Sequence, residues 1–242
     1  MEKIEVLKVK IDNLDKKSAL EKLDYFLRGD SFNQIVTINP EFVLEAQKNR
    51  RFRDILNNAE LGLVDGVGIN LAFWRNGMRL KSRMTGMNLI WNVLEKANEE
   101  RLKVFLIASK DGISDWRTTR QAIRERYPFL KICGMNLNPN VTNANGLRNI
   151  SKLQGSDILF CNFGAPHQEI FINSVRDCEA KIKLAVGVGG SFDFISGKIR
   201  RAPKFVRILG LEWLWRLFVQ PWRIKRIFRA VVIFPIKVLV RK

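Results

Sequence analysis

The chain predicts an α/β fold: a Rossmann-like, mostly parallel sheet with helices on both faces, plus a basic amphipathic helical C-terminal appendage. Three observations carry that prediction. From Gln34 onward, short apolar runs alternate with amphipathic stretches, the pattern of parallel strands covered by crossover helices. Several apolar runs end in capping or turn residues, such as Asn39-Pro40 and Asp65-Gly66, where an open sheet of this kind places its ligand crevice. Beyond Gly197 the composition turns basic and aromatic, so that residues 198–242 hold thirteen Lys and Arg against the single acid Glu212. That segment supplies +12 of the chain's net +18. The expected organisation is a core at 1–197 and an appendage at 198–242.

Taken in order, residues 1–10 alternate charge with Ile4, Val6 and Val9, a strand pattern and not the basic-then-apolar layout of a signal peptide. A cytoplasmic protein is expected. Strands are predicted at 34–38, 61–64, 104–108, 131–134, 157–163 and 183–188, each a short apolar run too brief for a helix. Helices are predicted at 40–59, broken near Asn49, and at 67–76, 87–100, 113–127, 144–152 and 166–175. The first of them starts well, because Asn39 is a good N-cap and Pro40 fits the first helical position. At 242 residues and 46% hydrophobic content, the chain can bury a full core. Cys133, Cys161 and Cys178 match no disulfide framework or zinc spacing, and all three read as small structural hydrophobes.

The appendage interleaves its charges with Phe205, Trp213, Trp215, Phe218, Trp222, Phe228 and Phe234. That mixture suits anionic headgroups with acyl chains beneath. Its longest uncharged run, 230–236, is far short of the roughly 20 apolar residues a span needs, and Pro235 interrupts it. After Pro221, Ile224, Ile227, Phe228 and Val231 fall at helical spacing, while Arg223, Lys225, Arg226 and Arg229 fill the remaining surface. Each Lys or Arg near an anionic leaflet contributes about 1 kcal/mol, so an anionic membrane surface is the expected partner. The plainer alternative is an apolar face packed on the protein body or on a second copy. Charge alone would also suit nucleic acid, but the aliphatic face argues against that class. An apolar tail would equally allow homo-oligomers in solution.

Between strands and helices stand the candidate site residues: Thr37 and Asn39, Asp65 with Gly66 and Gly68, Arg83, and Gln168 with Glu169. Each has a structural reading beside a functional one. Asp65 either caps its helix or projects a carboxylate into the crevice, where Gly66 and Gly68 allow close backbone approach. Arg83 precedes a helix where an anion site is expected. His167, the single histidine, reads as a surface residue, since a helix N-terminus disfavours imidazolium. The stretch 187–194, Gly-Val-Gly-Gly-Ser-Phe-Asp-Phe, is glycine-rich enough to cradle a nucleotide but lacks the dinucleotide fingerprint. No Walker A motif, HExxH helix, Cys/His cluster or Asp-x-Asp element occurs. No metal or cofactor is therefore expected, and a diphosphate would be neutralised by arginines and helix N-termini.

These loops, in this order, resemble the WecG/TagA/CpsF glycosyltransferase family of bacterial surface-polymer synthesis. The likeness spans about 34–226 and culminates in Gly187-Val188-Gly189-Gly190-Ser191-Phe192-Asp193-Phe194, Gly197-Lys198, Arg201-Ala202-Pro203, Gly210-Leu211-Glu212-Trp213-Leu214-Trp215-Arg216-Leu217 and Pro221-Trp222-Arg223. The resemblance implies an inverting transfer of N-acetylmannosamine from its UDP derivative to the 4-hydroxyl of undecaprenyl-diphosphate-linked N-acetylglucosamine, for the wall teichoic acid linkage unit. It leaves open another donor, UDP-N-acetylmannosaminuronic acid or a UDP-hexose. It also implies Asp65 as general base, and sugar or nucleotide contacts from Thr37, Asn39, Gly66, Arg83, Gln168, Gly187, Gly189 and Asp193. Arg216, Arg223 and Arg226 match family arginines, of which one or more would close over the diphosphate, on a protein held at the inner face of the cell membrane.

Overall fold

A computed structural model describes residues 3–139, 153, 155–176 and 181–240; the helix expected at 144–152 and Cys178 lie outside them. Six parallel strands form the sheet: β3 (Asn33–Ile38), β4 (Leu61–Val64), β5 (Lys103–Ser109), β6 (Lys131–Leu137), β7 (Ile158–Cys161) and β8 (Leu184–Gly187). Their order is β4-β3-β8-β7-β5-β6. All six are the strands the apolar runs predict. Alternate residues feed opposite layers, as a two-faced sheet requires. Ile35 and Leu63 join α1 (Lys16–Arg28) and α5 (Gly86–Glu99) on one face, while Val36 and Ile38 join α2 (Pro40–Ala46) and α3 (Arg50–Asn58) on the other. Asn39 and Asn49 cap α2 and α3, accepting from Phe42 N and Phe52 N, so the break near Asn49 is a new helix start.

The N-terminal strand pattern resolves differently from the expectation. It is a hairpin of β1 (Lys3–Val6) and β2 (Val9–Asp12), turning at Leu7 and Lys8 with φ of 49° and 67°. A two-residue turn with positive φ normally announces itself with Asn or Gly, and Leu-Lys carries no such signal. The hairpin covers the outer edge of β4, where Asp12 Oδ2 accepts from Gly62 N at 2.8 Å; an edge strand left bare would invite pairing with another chain. Helix α1 was not among the expected helices; Asp15 caps it through Ser18 N at 2.8 Å. Cys161 is buried as expected, whereas Cys133, on edge strand β6, is exposed and so is not a core hydrophobe.

The remaining body helices are α4 (Ile69–Arg75), α6 (Trp116–Arg126), α7 (His167–Arg176) and α8 (Ser191–Ile195). Between Lys204 and Val240 the appendage is mostly helical, with α9 (Lys204–Ile208), α10 (Glu212–Val219), a short 3-10 turn, α11 (Ile224–Phe228), a π turn at Arg229–Ile233 and α12 (Phe234–Val240). Among the described residues no helix is long and apolar enough to cross a membrane. The appendage docks on the body through a face other than the expected one. Ile227, Phe234 and Val238 are buried, Phe234 and Val238 among the residues of α2 and α4, while Ile224, Phe228 and Val231 are exposed. Ile227, Phe234 and Val238 fall at i, i+7 and i+11, a second apolar stripe at helical spacing that runs beside the predicted one.

Candidate active site

The carboxyl ends of β3, β4 and β8 meet the start of α5 in one crevice. Pairing with β3 fixes Asp65, whose N–H donates to Ile38 O at 2.8 Å. Its partly exposed carboxylate takes a hydrogen bond from Gly86 N–H at the first turn of α5. Desolvation pushes Asp65 up to about 6, against the opposing pull of Arg216, with Glu212 raising it further and Arg83 lowering it. A carboxylate so tuned is largely ionised at neutral pH yet more basic than a free one, as a general base requires. Thr37 Oγ1 and Ser191 Oγ would lie 3.8 and 3.7 Å from a methyl placed on Gly86. Their approach brings three elements together beside Asp65.

The Asn39-Pro40 and Asp65-Gly66-Val67-Gly68 loops stack on each other. Gly66 has φ of +86°, and a methyl on Gly68 would meet Pro40 Cγ at 2.7 Å. Across the crevice, buried Gln168 accepts through Oε1 from Gly164 N at 3.0 Å and Gly189 N at 2.9 Å, and its Nε2 donates to Glu169 Oε1 at 2.6 Å. Gln168 therefore ties two loops together. Gly187 has no room for a side chain, because Gln168 and Glu169 press against its Cα. Gly189, with φ of +49°, turns the chain so that Gly190 faces Asp193 and Arg223.

Arginines of the appendage close this side. A methyl on Gly190 would sit 3.6 Å from Arg223 Nη2 and 3.4 Å from Asp193 Oδ2. Arg216 lies over the Phe194 ring at 5.1 Å from the centroid and pairs with Glu212 at 3.5 Å. Burial, followed by repulsion from Arg226 and Arg216, pulls Arg223 down to about 10. Burial raises Asp193, which Ser114, Arg223 and Arg216 oppose. The buried Nε atoms of Arg201, Arg207, Arg216 and Arg223 have no hydrogen-bond partner. Such a cluster holds more cationic donors than the protein's own acceptors satisfy, which suits a multiply charged anion. Gly210, with φ of +74°, presses so closely on Val67 that a methyl there would fall 2.5 Å from Val67 Cγ1. The appendage thus rests directly on the loop that carries Asp65.

The sequence profile of the glycosyl transferase WecG/TagA/CpsF family matches residues 4–242. The chain belongs to that family. It is similar to the N-acetylglucosaminyldiphosphoundecaprenol N-acetyl-beta-D-mannosaminyltransferase of Bacillus subtilis strain 168, 34% identical over 192 residues, covering 79% of this chain and 73% of the relative. The protein of the same description from Staphylococcus aureus strain MRSA252 is 29% identical over 238 residues, covering 98% of this chain and 92% of the relative.

Within this glycosyltransferase, Thr37, Asp65, Gly66, Arg83, Gly189, Asp193, Arg216 and Arg223 converge on the crevice. Others do different work. Asn39 spends Oδ1 on capping α2, and Gln168 spends its amide on the glycine loops. Arg226 is held by Glu41, with Nε at 2.7 Å from Oε2, so it fastens the appendage to α2. His167 is exposed. Four residues are not among the predicted site residues: Arg201 and Arg207, which join the cation cluster, and Ser114 and Ser191, which face Asp193 and Gly86. Arg201 and Ser191 stand within the family motifs and Arg207 within the basic segment, whereas Ser114, a lone serine before α6, carries no signal of its own. Among the described residues no three His, Cys, Asp or Glu side chains gather to hold a metal.

Proposed function

We propose that this glycosyltransferase moves N-acetylmannosamine from UDP-N-acetylmannosamine to the 4-hydroxyl of N-acetylglucosamine on undecaprenyl diphosphate, with inversion and without a metal ion. The carrying observation is the pairing of a raised-pKa carboxylate, Asp65, with arginines whose buried donors lack acceptors. Asp65 takes the proton of the acceptor hydroxyl as its oxygen forms a bond to C1 of the donor sugar. The bond from C1 to the diphosphate breaks, and UDP leaves with the electron pair, its charge met by Arg216 and Arg223. A positioned base contributes about 10²- to 10⁴-fold, and fixed cations at the developing charge supply a term of similar size.

The same reading holds the protein on the inner leaflet, where the lipid acceptor lies. Phe205, Ile208, Leu209, Phe218, Trp222, Ile224 and Phe228 are exposed on a segment that also exposes Lys204 and Lys225. This combination of aromatic insertion and headgroup attraction supports peripheral attachment.

The test is UDP release from UDP-N-acetylmannosamine with a lipid-diphosphate-N-acetylglucosamine acceptor, for the full chain and Asp65→Asn, with and without chelator. Acceptor-dependent release that survives chelation, rises with pH through about 6 and falls at least about 10²-fold in the variant is expected. Release from UDP-N-acetylmannosaminuronic acid instead would reassign the donor. Loss on chelation would overturn the metal-free step.

A further inference from the structure

Resting on that reading, we infer that the groove between α4 and the loop following it binds the acceptor's lipid carrier, chemically a polyprenyl diphosphate, at its diphosphate end. The groove has a volume of about 600 Å³ and is lined by Asn70, Trp74, Gly77, Met78, Arg79 and Leu80. No carboxylate lines it.

Sheet order fixes its relation to the chemistry. β4 is an edge strand, and β3 and β8 follow it inward. The glycine loop and Arg223, which suit the nucleotide diphosphate, stand at β8, whereas α4 begins just beyond Asp65 at the sheet's margin. A base must lie between the donor carbon and the acceptor hydroxyl. With the donor on the β8 side of Asp65, the acceptor approaches from the β4 margin, the side that carries α4. The two chain segments leaving the groove both return to the site: α4 runs back to Gly68 and Asp65, and the loop runs on to Arg83 and to Gly86, whose N–H meets Asp65.

The groove is held in shape from beneath. Buried Asn13 donates through Nδ2 to Arg79 O at 3.1 Å and accepts at Oδ1 from Lys81 N at 2.9 Å. Ser82 Oγ donates to Leu14 O at 2.8 Å, Met78 N donates to Phe73 O at 3.0 Å, and Met84 N donates to Val64 O at 3.0 Å. Gly77 makes the turn at φ of +68°. A preformed site loses little entropy on binding.

Its chemistry is amphipathic in the way a prenyl diphosphate demands. Trp74 is 72% exposed, while Met78 and Leu80, on the loop that completes the groove, pack against the core. Arg79, which lines the groove, and the nearby Arg75 are exposed cations, the donors a diphosphate takes. The lipid also has an exit. α12 packs against α4, with Phe234 and Val238 sharing a cluster with Ile69, Ala72, Phe73, Met78 and Leu80, while Ile236, Leu239 and Val240 are exposed. A chain leaving the groove therefore finds an apolar helix beside it and, in the attached protein, the bilayer.

The test uses a short-chain prenyl-diphosphate-N-acetylglucosamine bearing a benzophenone on its first isoprene units, photolysed with the full chain, followed by peptide mapping. Labelling should concentrate on residues 70–80, be competed by unlabelled acceptor and not by UDP, and fall in Trp74→Ala and Arg79→Glu. Both side chains are exposed, so the variants should fold. In turnover assays the two variants should raise the acceptor KM by about tenfold while leaving the donor KM and vesicle capture unchanged. Labelling confined to 205–240, or unaffected by competitor, would overturn the assignment. So would a Trp74→Ala defect that appears equally in vesicle capture, which would make Trp74 a membrane anchor. Specific labelling in a protein that transfers no N-acetylmannosamine would keep the groove and reject the donor.

Discussion

The body and the appendage obey opposite rules of burial. In the body most apolar side chains go inside, Trp74 and Phe129 being exceptions, and charges such as Arg176 and Lys96 find partners: Arg176 grips Glu60 through two bonds of 2.7 and 2.8 Å, and Lys96 stands 3.5 Å from Asp24. In the appendage, Phe218, Trp222 and Phe228 face outward, while Arg201, Arg207, Arg216 and Arg223 turn unmatched donors inward. A segment folded for its own stability would do the reverse. The difference supports the proposed reading of an anion beneath the appendage and lipid above it, on a segment that also packs Phe234 and Val238 against the body.

The sharpest way to break that contrast is within the appendage itself. Phe234 is fully buried with Phe42 and Phe73, whereas Phe228 is 54% exposed. Phe234→Ala should cost about 3–5 kcal/mol of stability, read as a fall in Tm. Phe228→Ala should leave Tm in place and weaken capture by anionic vesicles. Equal effects of the two on Tm would mean the outer face is packed in solution, for instance on a second copy. The same burial argues that removing 198–242 would uncover a core and leave no intact soluble body.

The cation cluster makes a prediction of opposite sign for stability and activity. Arg223→Ala removes a largely desolvated cation repelled by Arg226 and Arg216, so the free protein should be no less stable, whereas Arg216→Ala also gives up the contacts with Glu212 and Phe194 and should cost little. Turnover should fall by about 10²-fold, close to 2.7 kcal/mol of transition-state stabilisation. UDP should raise the Tm of the wild type more than that of either variant. An activity loss accompanied by an equal loss of Tm would reassign these arginines to holding the appendage in place, the task Arg226 performs with Glu41.

The sequence revealed the parallel sheet because strands buried on both faces read as continuous apolar runs. It revealed Asp65 and the glycine loops because turns after such strands are where crevices form. The appendage's orientation was only partly legible. Ile227, Phe234 and Val238 are spaced as one face of a regular helix, but so are Ile224, Ile227, Phe228 and Val231, and only packing on the body chooses the first stripe. Gln168 misled for a different reason: a polar side chain after a strand looks the same whether it meets a substrate or, as here, two backbone amides.

Among the body's carboxylates with an unpartnered buried oxygen, Glu169 sharpens the comparison most finely. Glu169 is 1% exposed, its Oε1 accepts from Gln168, and its Oε2 has no partner. Burial pushes it up to about 8, from an ordinary 4.5. The folded protein therefore keeps a proton that the unfolded chain releases between those values, so stability falls as pH rises from about 4.5 to about 8 and levels off beyond. Asp65 acts with the same sign between 3.8 and about 6, but it is common to wild type and variant and drops out of their difference. Glu169→Gln retains an acceptor for Gln168 and has no proton to lose. Its Tm profile from pH 5 to 9 should be flatter, with the advantage over wild type growing toward the alkaline end. Parallel profiles would mean that Glu169 is ionised and compensated in the fold. The body would then tolerate an unmatched buried charge as the appendage does, and the contrast between them would lose its physical basis.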